Sequence, residues 1–257
     1  MTGKADYSKT KMFTLAIAAG AFIAFGAQVS LTVMTGDSNM GWGFTKLIGA
    51  MTFATGLMIV ALTGAELFTG NVMMTFAVLE KKVSLLKLLR SWTVVYIANF
   101  LGSILVAGLI YGAGMGHNGG DAVGVTAMQT AFSKINLTFG EAFFRGILCN
   151  WLVCLAIFMA STSKRVIGKI FAIFFPIMTF VASGYEHSVA NMFFIPNGLL
   201  MKHFPSIVAA SGMTPDQLAT MTWKGFFLHN LLPVTLGNIV GAFVSVSYTH
   251  LTLPTKL

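Results

Sequence analysis

Two stretches of the chain decide its fold: Gly-Ala-Glu-Leu-Phe-Thr-Gly-Asn at residues 64–71 and Gly-Tyr-Glu-His-Ser-Val-Ala-Asn at residues 184–191. In each stretch an asparagine, Asn71 or Asn191, follows a glutamate, Glu66 or Glu186, after five residues. An unwound turn inside a membrane needs such glycine and polar residues, because lipid supplies no partners for its freed N–H and C=O groups. The two stretches therefore predict membrane helices that are broken at mid-depth, with these four polar residues in structural roles at the breaks.

The composition around the two stretches is that of a membrane protein. Charged residues make up 9% of the chain and hydrophobic residues 56%. Soluble domains average roughly 25% charged and 45–50% apolar residues. The formal net charge of +8 could indicate nucleic acid or anionic lipid as a partner. The distribution of the charges, described below, argues against nucleic acid.

Uncharged segments of the chain predict six membrane crossings. Each crossing needs about 20 apolar residues. The segments are Met12–Gly36, Leu47–Ala65, Ser91–Gly120, Gly146–Ser163, Ile170–Tyr185 and a last one from Gly225 past Val246. Two leftover apolar segments, Leu67–Leu79 and His187–Met201, are too short to span and continue the second and fifth crossings as half-helices. Breaks in the second and fifth of six helices are typical of two inverted three-helix repeats. We expect one all-α channel domain over residues 12–246.

Lysine and arginine residues in the short loops predict the orientation. With the N-terminus inside, eleven of them lie on the inner side and five on the outer side. Because cytoplasmic loops carry the excess of Lys and Arg, both termini are predicted to be cytoplasmic, in a multi-pass plasma-membrane protein. The basic residues are then mostly topology signals, and lipid rather than nucleic acid is the expected partner.

His187 is the candidate functional residue that the pattern itself selects. Of the five histidines, it alone adjoins a predicted break, and imidazole can exchange a proton near neutral pH. The alternative is a histidine that only ties down the broken helix. Glu66 and Glu186 are less suitable as pathway groups, because exposed carboxylates would repel an anion. We interpret both as bonding the unwound backbone.

Four sequence blocks resemble the formate/nitrite transporter family. They are Glu66–Asn71, Gly146–Cys154, Val181–Pro196 and Asn230–Asn238, and the similarity runs from about Lys9 to about Val244. The resemblance implies an aquaporin-like protomer, a homopentamer and transport of small monovalent anions, with a hydrosulfide-conducting branch in the family. It implies no cofactor and no metal, and the sequence shows no metal-ligand spacing.

The resemblance also assigns roles to particular residues. It makes His187 the central pore histidine, with Asn150 beside it and Thr69 opposite, and it places Lys134 in the outer vestibule, where it would attract anions. It also implies two apolar constrictions, one on either side of the central site, which raise the energy of a bare anion relative to its neutral acid. The constriction positions are Phe53, Leu57, Leu67, Phe68, Val153 and Phe180.

Both ends of the chain depart from the family pattern. The N-terminal segment, residues 1–11, precedes the first crossing closely, so a gate built from a longer pre-helix is not expected. After Val244, the apolar remainder of the sixth helix gives way to an atypical tail, residues 247–257, that resembles foreign sequence.

Three functional hypotheses follow from the sequence. The first is a channel or proton-linked transporter for formate or nitrite, with protons exchanged at His187. The second is a hydrosulfide channel of the same fold, which Thr69, Asn150 and His187 do not distinguish from the first. The third is an intramembrane enzyme or sensor that uses Glu66, Glu186 and His187 as acid and base, for which the sequence offers no activated nucleophile.

Overall fold

The computed structural model describes residues 2–36 and 41–252, whose regular structure is entirely helical. The helices are α1 Lys9–Val33, α2 Trp42–Thr63, α3 Phe68–Leu79, α4 Leu85–Gly112, α5 Ala122–Ile135, α6 Phe139–Thr162, α7 Val166–Ala182, α8 Ser188–Met201, α9 Pro205–Ser211 and α10 Pro215–Thr220. The last helix, α11, starts at Trp223–Gly225, widens into a π-helical stretch at Phe226–Leu231 and continues as Leu232–Thr252.

The predicted crossings are confirmed. Helices α1, α2, α4, α6 and α11 are long and apolar enough to cross a membrane, whereas α3, α7 and α8 are shorter apolar helices. Helix α4 begins six residues before the predicted start at Ser91. The N–H of Lys87 donates to the Ser84 hydroxyl and caps this helix, which therefore extends through its basic first turns.

The two breaks have the same backbone geometry. Gly64, with φ +71°, directly follows α2, and Gly184, with φ +74°, follows α7 after Ser183. This left-handed conformation costs a glycine little, because it has no Cβ. Three non-helical residues follow each glycine before α3 or α8 begins. Each break therefore consists of one left-handed glycine and three non-helical residues, the last of which is extended.

The helix packing repeats between the two halves. Helix α1 packs on α4 in the first half, and α6 packs on α11 in the second. Close contact in each pair depends on glycine: a Cβ on Gly102 would lie 2.0 Å from the Ile17 carbonyl oxygen, and one on Gly237 would lie 2.1 Å from that of Phe143. Helices α2 and α7 pack against each other across the halves. This arrangement of inverted repeats brings the two breaks together in the interior.

The ends of the described chain add two findings to the sequence-based expectations. Residues Thr2–Asp6 form a 3₁₀-helix that docks on α4, where the Arg90 guanidinium donates to the carbonyl oxygen of Ala5 at 2.9 Å. A short N-terminal segment therefore still covers this end of the bundle. The backbone of α11 is helical to Thr252. The predicted atypical tail at 247–257 lies partly outside the described residues, and its origin stays a prediction.

Candidate functional site

Two buried asparagines hold the broken segments in place. Asn99, on α4, accepts a hydrogen bond from Phe68 N–H and donates to the Glu66 carbonyl oxygen, both at 2.9 Å. Asn238, on α11, makes the same two bonds with Ser188 N–H and the Glu186 carbonyl oxygen, again at 2.9 Å. Both amides are fully buried. Each replaces partners that an intact helix would have supplied to its own backbone.

The glutamate of the first break lies in a small ion-paired cluster. The Glu66 carboxylate accepts a hydrogen bond from Asn71 Nδ2 at 2.6 Å, and Lys4 Nζ lies 2.9 Å from its other oxygen. Its side chain is 1% exposed. The carboxylate therefore bonds an amide and an ammonium group, and not the unwound backbone that had been expected as its partner. A structural role for Glu66 and Asn71 stays a prediction.

The second break has a matching cluster. The Glu186 carboxylate accepts from Lys134 Nζ at 2.7 Å and from Asn191 Nδ2 at 2.6 Å. Asn230 adds a longer bond, at 3.3 Å, to the same oxygen as Asn191. Lys134 was expected in the outer vestibule as an attractor of anions; it lies next to the second break, and Glu186 compensates its charge at close range.

His187 and Thr69 meet between the two breaks. His187 Nε2 lies 2.9 Å from Thr69 Oγ1, and His187 Nδ1 accepts a hydrogen bond from Ala190 N–H at 3.1 Å. Because Nδ1 is an acceptor, the neutral ring carries its proton on Nε2, which donates to Thr69. The threonine hydroxyl hydrogen is then free to bond a third group. His187 thus also serves as the N-cap of α8.

Asn150 lies beside this pair and contacts the backbone of Thr69, not its side chain. Its Nδ2 donates to the carbonyl oxygens of Asn238, at 2.7 Å, and Thr69, at 3.3 Å. Its Oδ1 is buried and has no partner among the described residues. Asn150 therefore links α6, α11 and α3 and leaves one free acceptor next to the site.

The predicted constriction residues separate into two groups. The Phe180 ring lies 5.7 Å from the Phe53 ring and stacks on the His187 ring at 6.0 Å. Phe194, which the sequence analysis did not select, stacks on Phe53 at 6.1 Å. These three phenylalanines form one aromatic cluster on the Lys134 side of the histidine.

The remaining predicted constriction residues lie elsewhere. Leu57 and Leu67 line a cavity on the Lys4 side. The Phe68 ring packs against two rings of α4, at 6.0 Å from Trp92 and 4.8 Å from Tyr96 between centroids. It lines neither this cavity nor the larger one on the Lys134 side. Val153 is buried in α6 and lines neither of them. A constricting role for these residues stays a prediction.

Two cavities flank the pair of His187 and Thr69. A cavity of about 1100 Å³, here called the Lys134-side vestibule, reaches His187 and its aromatic cluster. A cavity of about 210 Å³, the Lys4-side cavity, is lined by Leu67 and Gly70, which are near neighbours of Thr69 in sequence. The histidine–threonine pair thus lies between two spaces that open toward opposite ends of the bundle.

Besides Phe194, sequence reasoning missed Asn99, Asn238 and Lys4. Asn99 and Asn238 carry the same signal as Asn150, an amide in an apolar span that needs a partner, and could have been found by it. Lys4 had been counted only as a topology signal, because its pairing with Glu66 depends on how the N-terminal segment docks. Among residues 2–36 and 41–252, no group of three His, Cys, Asp or Glu side chains could hold a metal ion.

Comparison with known proteins agrees with this geometry. A family model described as formate/nitrite transporter matches residues 1–252. The chain belongs to the formate/nitrite transporter family. It is 39% identical to the formate channel FocA of Haemophilus influenzae, over 95% of this chain and 87% of that protein. It is 40% identical to a probable formate transporter of Methanothermobacter thermautotrophicus, over 94% of this chain and 89% of that protein. The chain is therefore a membrane channel or transporter for anions, and not an enzyme.

Solved structures confirm the fold of this family member. A pentameric formate channel with formate bound is similar with a TM-score of 0.86 and 37% identity, covering 95% of this chain and 96% of that one. The aquaglyceroporin of Plasmodium falciparum is similar with a TM-score of 0.52 at 15% identity, covering 94% and 96%. The second likeness concerns the fold alone, and it agrees with the predicted aquaporin-like protomer.

Proposed function

We propose that this protein is a channel for formate and similar small monovalent anions, nitrite among them. One observation carries the proposal: the hydrogen-bonded pair of His187 and Thr69 lies between two cavities, with an aromatic cluster on one side and Leu57 and Leu67 on the other. The curated relatives named formate channels and the structure solved with formate support formate as the first anion to test.

Thr69 is the hydrogen-bond donor that binds the anion beside His187 in this proposal. With the neutral His187 donating through Nε2, the Thr69 hydroxyl hydrogen points to a third group, and a carboxylate oxygen accepts such a bond readily. The unpaired Oδ1 of Asn150 has the complementary property, because it can accept a hydrogen bond from the protonated form of the same substrate. The Lys134 ammonium group donates one of its three hydrogens to Glu186, so the other two can donate to the anion.

His187 is the proposed site of proton exchange. Protonation requires a hydrogen on Nδ1, where the Ala190 N–H now donates, so the imidazolium form loses the cap of α8. A lost N-cap costs about 1 kcal/mol, which a nearby anion can offset by pairing with the cation. The neutral ring is then the resting state, and an anion at Thr69 favours proton uptake. A proton passed to the anion yields a neutral acid, which crosses the flanking apolar residues at lower energy.

Assembly and orientation complete the proposal. We take the pentamer of the similar formate channel as the assembly of this chain in membrane lipid. The excess of Lys and Arg on the N-terminal side supports cytoplasmic termini and a Lys134-side vestibule that faces outward from the plasma membrane.

Stopped-flow flux into liposomes tests the function. Purified pentamer should pass formate faster than empty vesicles do and leave it chemically unchanged, with nitrite and hydrosulfide run as parallel arms. If hydrosulfide crosses and formate does not, the protein is a hydrosulfide channel of the same fold. If none of the three anions crosses faster than in empty vesicles, the proposal is wrong.

A further inference from the structure

The charged residues that line the Lys134-side vestibule differ in the distance over which they attract an anion. The described charged residues of its wall are Lys46, Lys134, Arg145 and Glu186. Lys134 and Glu186 form an ion pair at 2.7 Å, so at a distance their fields nearly cancel. Lys134 also lies over the Phe194 ring at 5.3 Å. Its role is therefore that of a hydrogen-bond donor at short range.

Lys46 and Arg145 have no acidic partner at ion-pair distance. Neither forms an ion pair with any described residue. Lys46 is half-buried at the first turns of α2, with its ammonium group 6.0 Å from the Trp42 ring, and lies within electrostatic range of Lys134 and Glu186. Arg145 is half-buried on α6 and lies within electrostatic range of Glu141, whose exposed carboxylate bonds Thr138 instead. Two cations in a cleft with low-dielectric walls concentrate the field that an approaching anion meets.

We propose that Lys46 and Arg145 form the anion-collecting site of the vestibule, which raises the local concentration of a small monovalent anion before it reaches Lys134 and Thr69. The site deepens the proposed function and rests on it. Its chemistry is electrostatic capture of a carboxylate or other univalent anion, assisted by hydroxyl and amide groups of the same wall. These are Thr45, Thr126, Gln129, Thr130 and Ser133.

Capture of this kind depends on ionic strength. The screening length is about 30 Å at 0.01 M salt and about 3 Å at 1 M. Steering by a charged cleft raises association rates roughly 10- to 1000-fold. We therefore expect removal of either cation to lower formate entry from the Lys134 side roughly three- to ten-fold at 0.01 M salt. At 1 M salt, variant and wild-type rates should converge.

Cysteine labelling gives a test within one folded protein. Cys149 and Cys154 are fully buried, so in K46C or R145C pentamers the new thiol is the accessible one among the described cysteines. A methanethiosulfonate reagent with a trimethylammonium group should restore low-salt formate entry, and one with a sulfonate group should lower it further. Substitution of the exposed Lys224, which does not line the vestibule, is the matched control and should leave the salt slope unchanged.

A paired variant separates this proposal from a role for Lys134. The double substitution K134Q/E186Q removes both members of the ion pair and leaves the vestibule charge unchanged, so the slope of flux against ionic strength should match wild type, whatever the absolute rate. The proposal is overturned if K134Q/E186Q flattens that slope while unlabelled K46C and R145C keep the wild-type slope. Wild-type pentamers without formate flux at any salt concentration would instead contradict the proposed function.

Discussion

Lys4 and Lys134 occupy corresponding positions in the two inverted repeats. Each ammonium group pairs with the glutamate of its own helix break, Lys4 with Glu66 at 2.9 Å and Lys134 with Glu186 at 2.7 Å. The N–H groups of Glu66 and Glu186 donate to the carbonyl oxygens of Leu15 and Arg145. Arg145 follows Leu15 by 130 residues (145 − 15), and Lys134 follows Lys4 by the same number (134 − 4). The repeat therefore extends beyond the helices to the charges that compensate the buried carboxylates.

Removing one member of the second pair should destabilise the protein. Lys134→Gln leaves the Glu186 carboxylate buried without its cation, at a cost of up to about 3 kcal/mol. Thermal unfolding of the purified pentamer should show a lower midpoint, and K134Q/E186Q should recover much of the loss. Lys4→Gln should have a smaller effect, because the Lys4 side chain is 37% exposed. A double variant no more stable than K134Q would contradict the assignment of the pair.

His187 can be tested with two substitutions that separate its roles. Asparagine can still accept the Ala190 N–H as an N-cap but cannot take up a proton, whereas alanine loses both functions. We expect His187→Asn to assemble normally with formate flux that no longer follows wild-type pH dependence. His187→Ala should add a loss of about 1 kcal/mol in stability. If both variants kept the wild-type pH profile and differed only in pentamer stability, His187 would be a structural residue.

The two buried asparagines should each matter for stability. Asn99→Ala and Asn238→Ala each leave backbone groups of a break without partners, at roughly 1–3 kcal/mol apiece. Because the two sites lie in different repeats, the losses should add in the double variant. Asn118→Ala, on an exposed loop, is the control and should change the unfolding midpoint little. Equal effects of all three substitutions would argue against the special role of Asn99 and Asn238.

The docked N-terminal segment should not respond to pH near neutrality. The hydrogen bond from Lys87 to Asp6, at 2.7 Å, and the Lys87 charge lower the pKa of the Asp6 carboxyl below its ordinary value. A lowered pKa means that the pair stabilises docking above the ordinary carboxyl pKa and is lost only as the pH falls through the lowered one. Between pH 5 and 8 the pair is therefore constant.

Amide hydrogen exchange of residues 2–7 checks this expectation. Asp6→Asn should raise exchange roughly two- to five-fold, by the same factor at pH 5 and pH 8 once intrinsic exchange rates are corrected for. Asp216→Asn, on the exposed α10, serves as control. Wild-type protection that falls between pH 8 and pH 5, and does not fall in D6N, would show that Asp6 titrates in this range.

The sequence predicted the breaks well because their chemistry is local. A glycine, an acid and an amide in each of two apolar segments are sufficient to indicate an unwound turn, and the structure places left-handed Gly64 and Gly184 there. The charge-based ends of the crossings were less accurate, as at α4, because a capped helix continues past basic residues whose long side chains reach the membrane surface.

The polar residues of the candidate site were easier to predict from the sequence than the apolar ones, because the signal that marks the breaks is local. His187 and Thr69 each lie next to a break, so their meeting at 2.9 Å follows once the breaks meet. Of the predicted constriction residues, Phe53 and Phe180 lie in one aromatic cluster, whereas Phe68 packs against α4. Apolar side chains carry no local signal that separates a pore-facing position from a packed one.

The sequence alone determined that the chain crosses a membrane six times, that helices two and five are broken, and which histidine lies at a break. Hydropathy, glycine and polar residues in apolar segments are sufficient for that, because lipid penalises every unpaired backbone group. Only the tertiary structure decided the partners: Asn99 and Asn238 for the broken backbone, and Lys134 for Glu186. Those contacts join residues far apart in the chain, and charge compensation depends on distances that no local pattern contains.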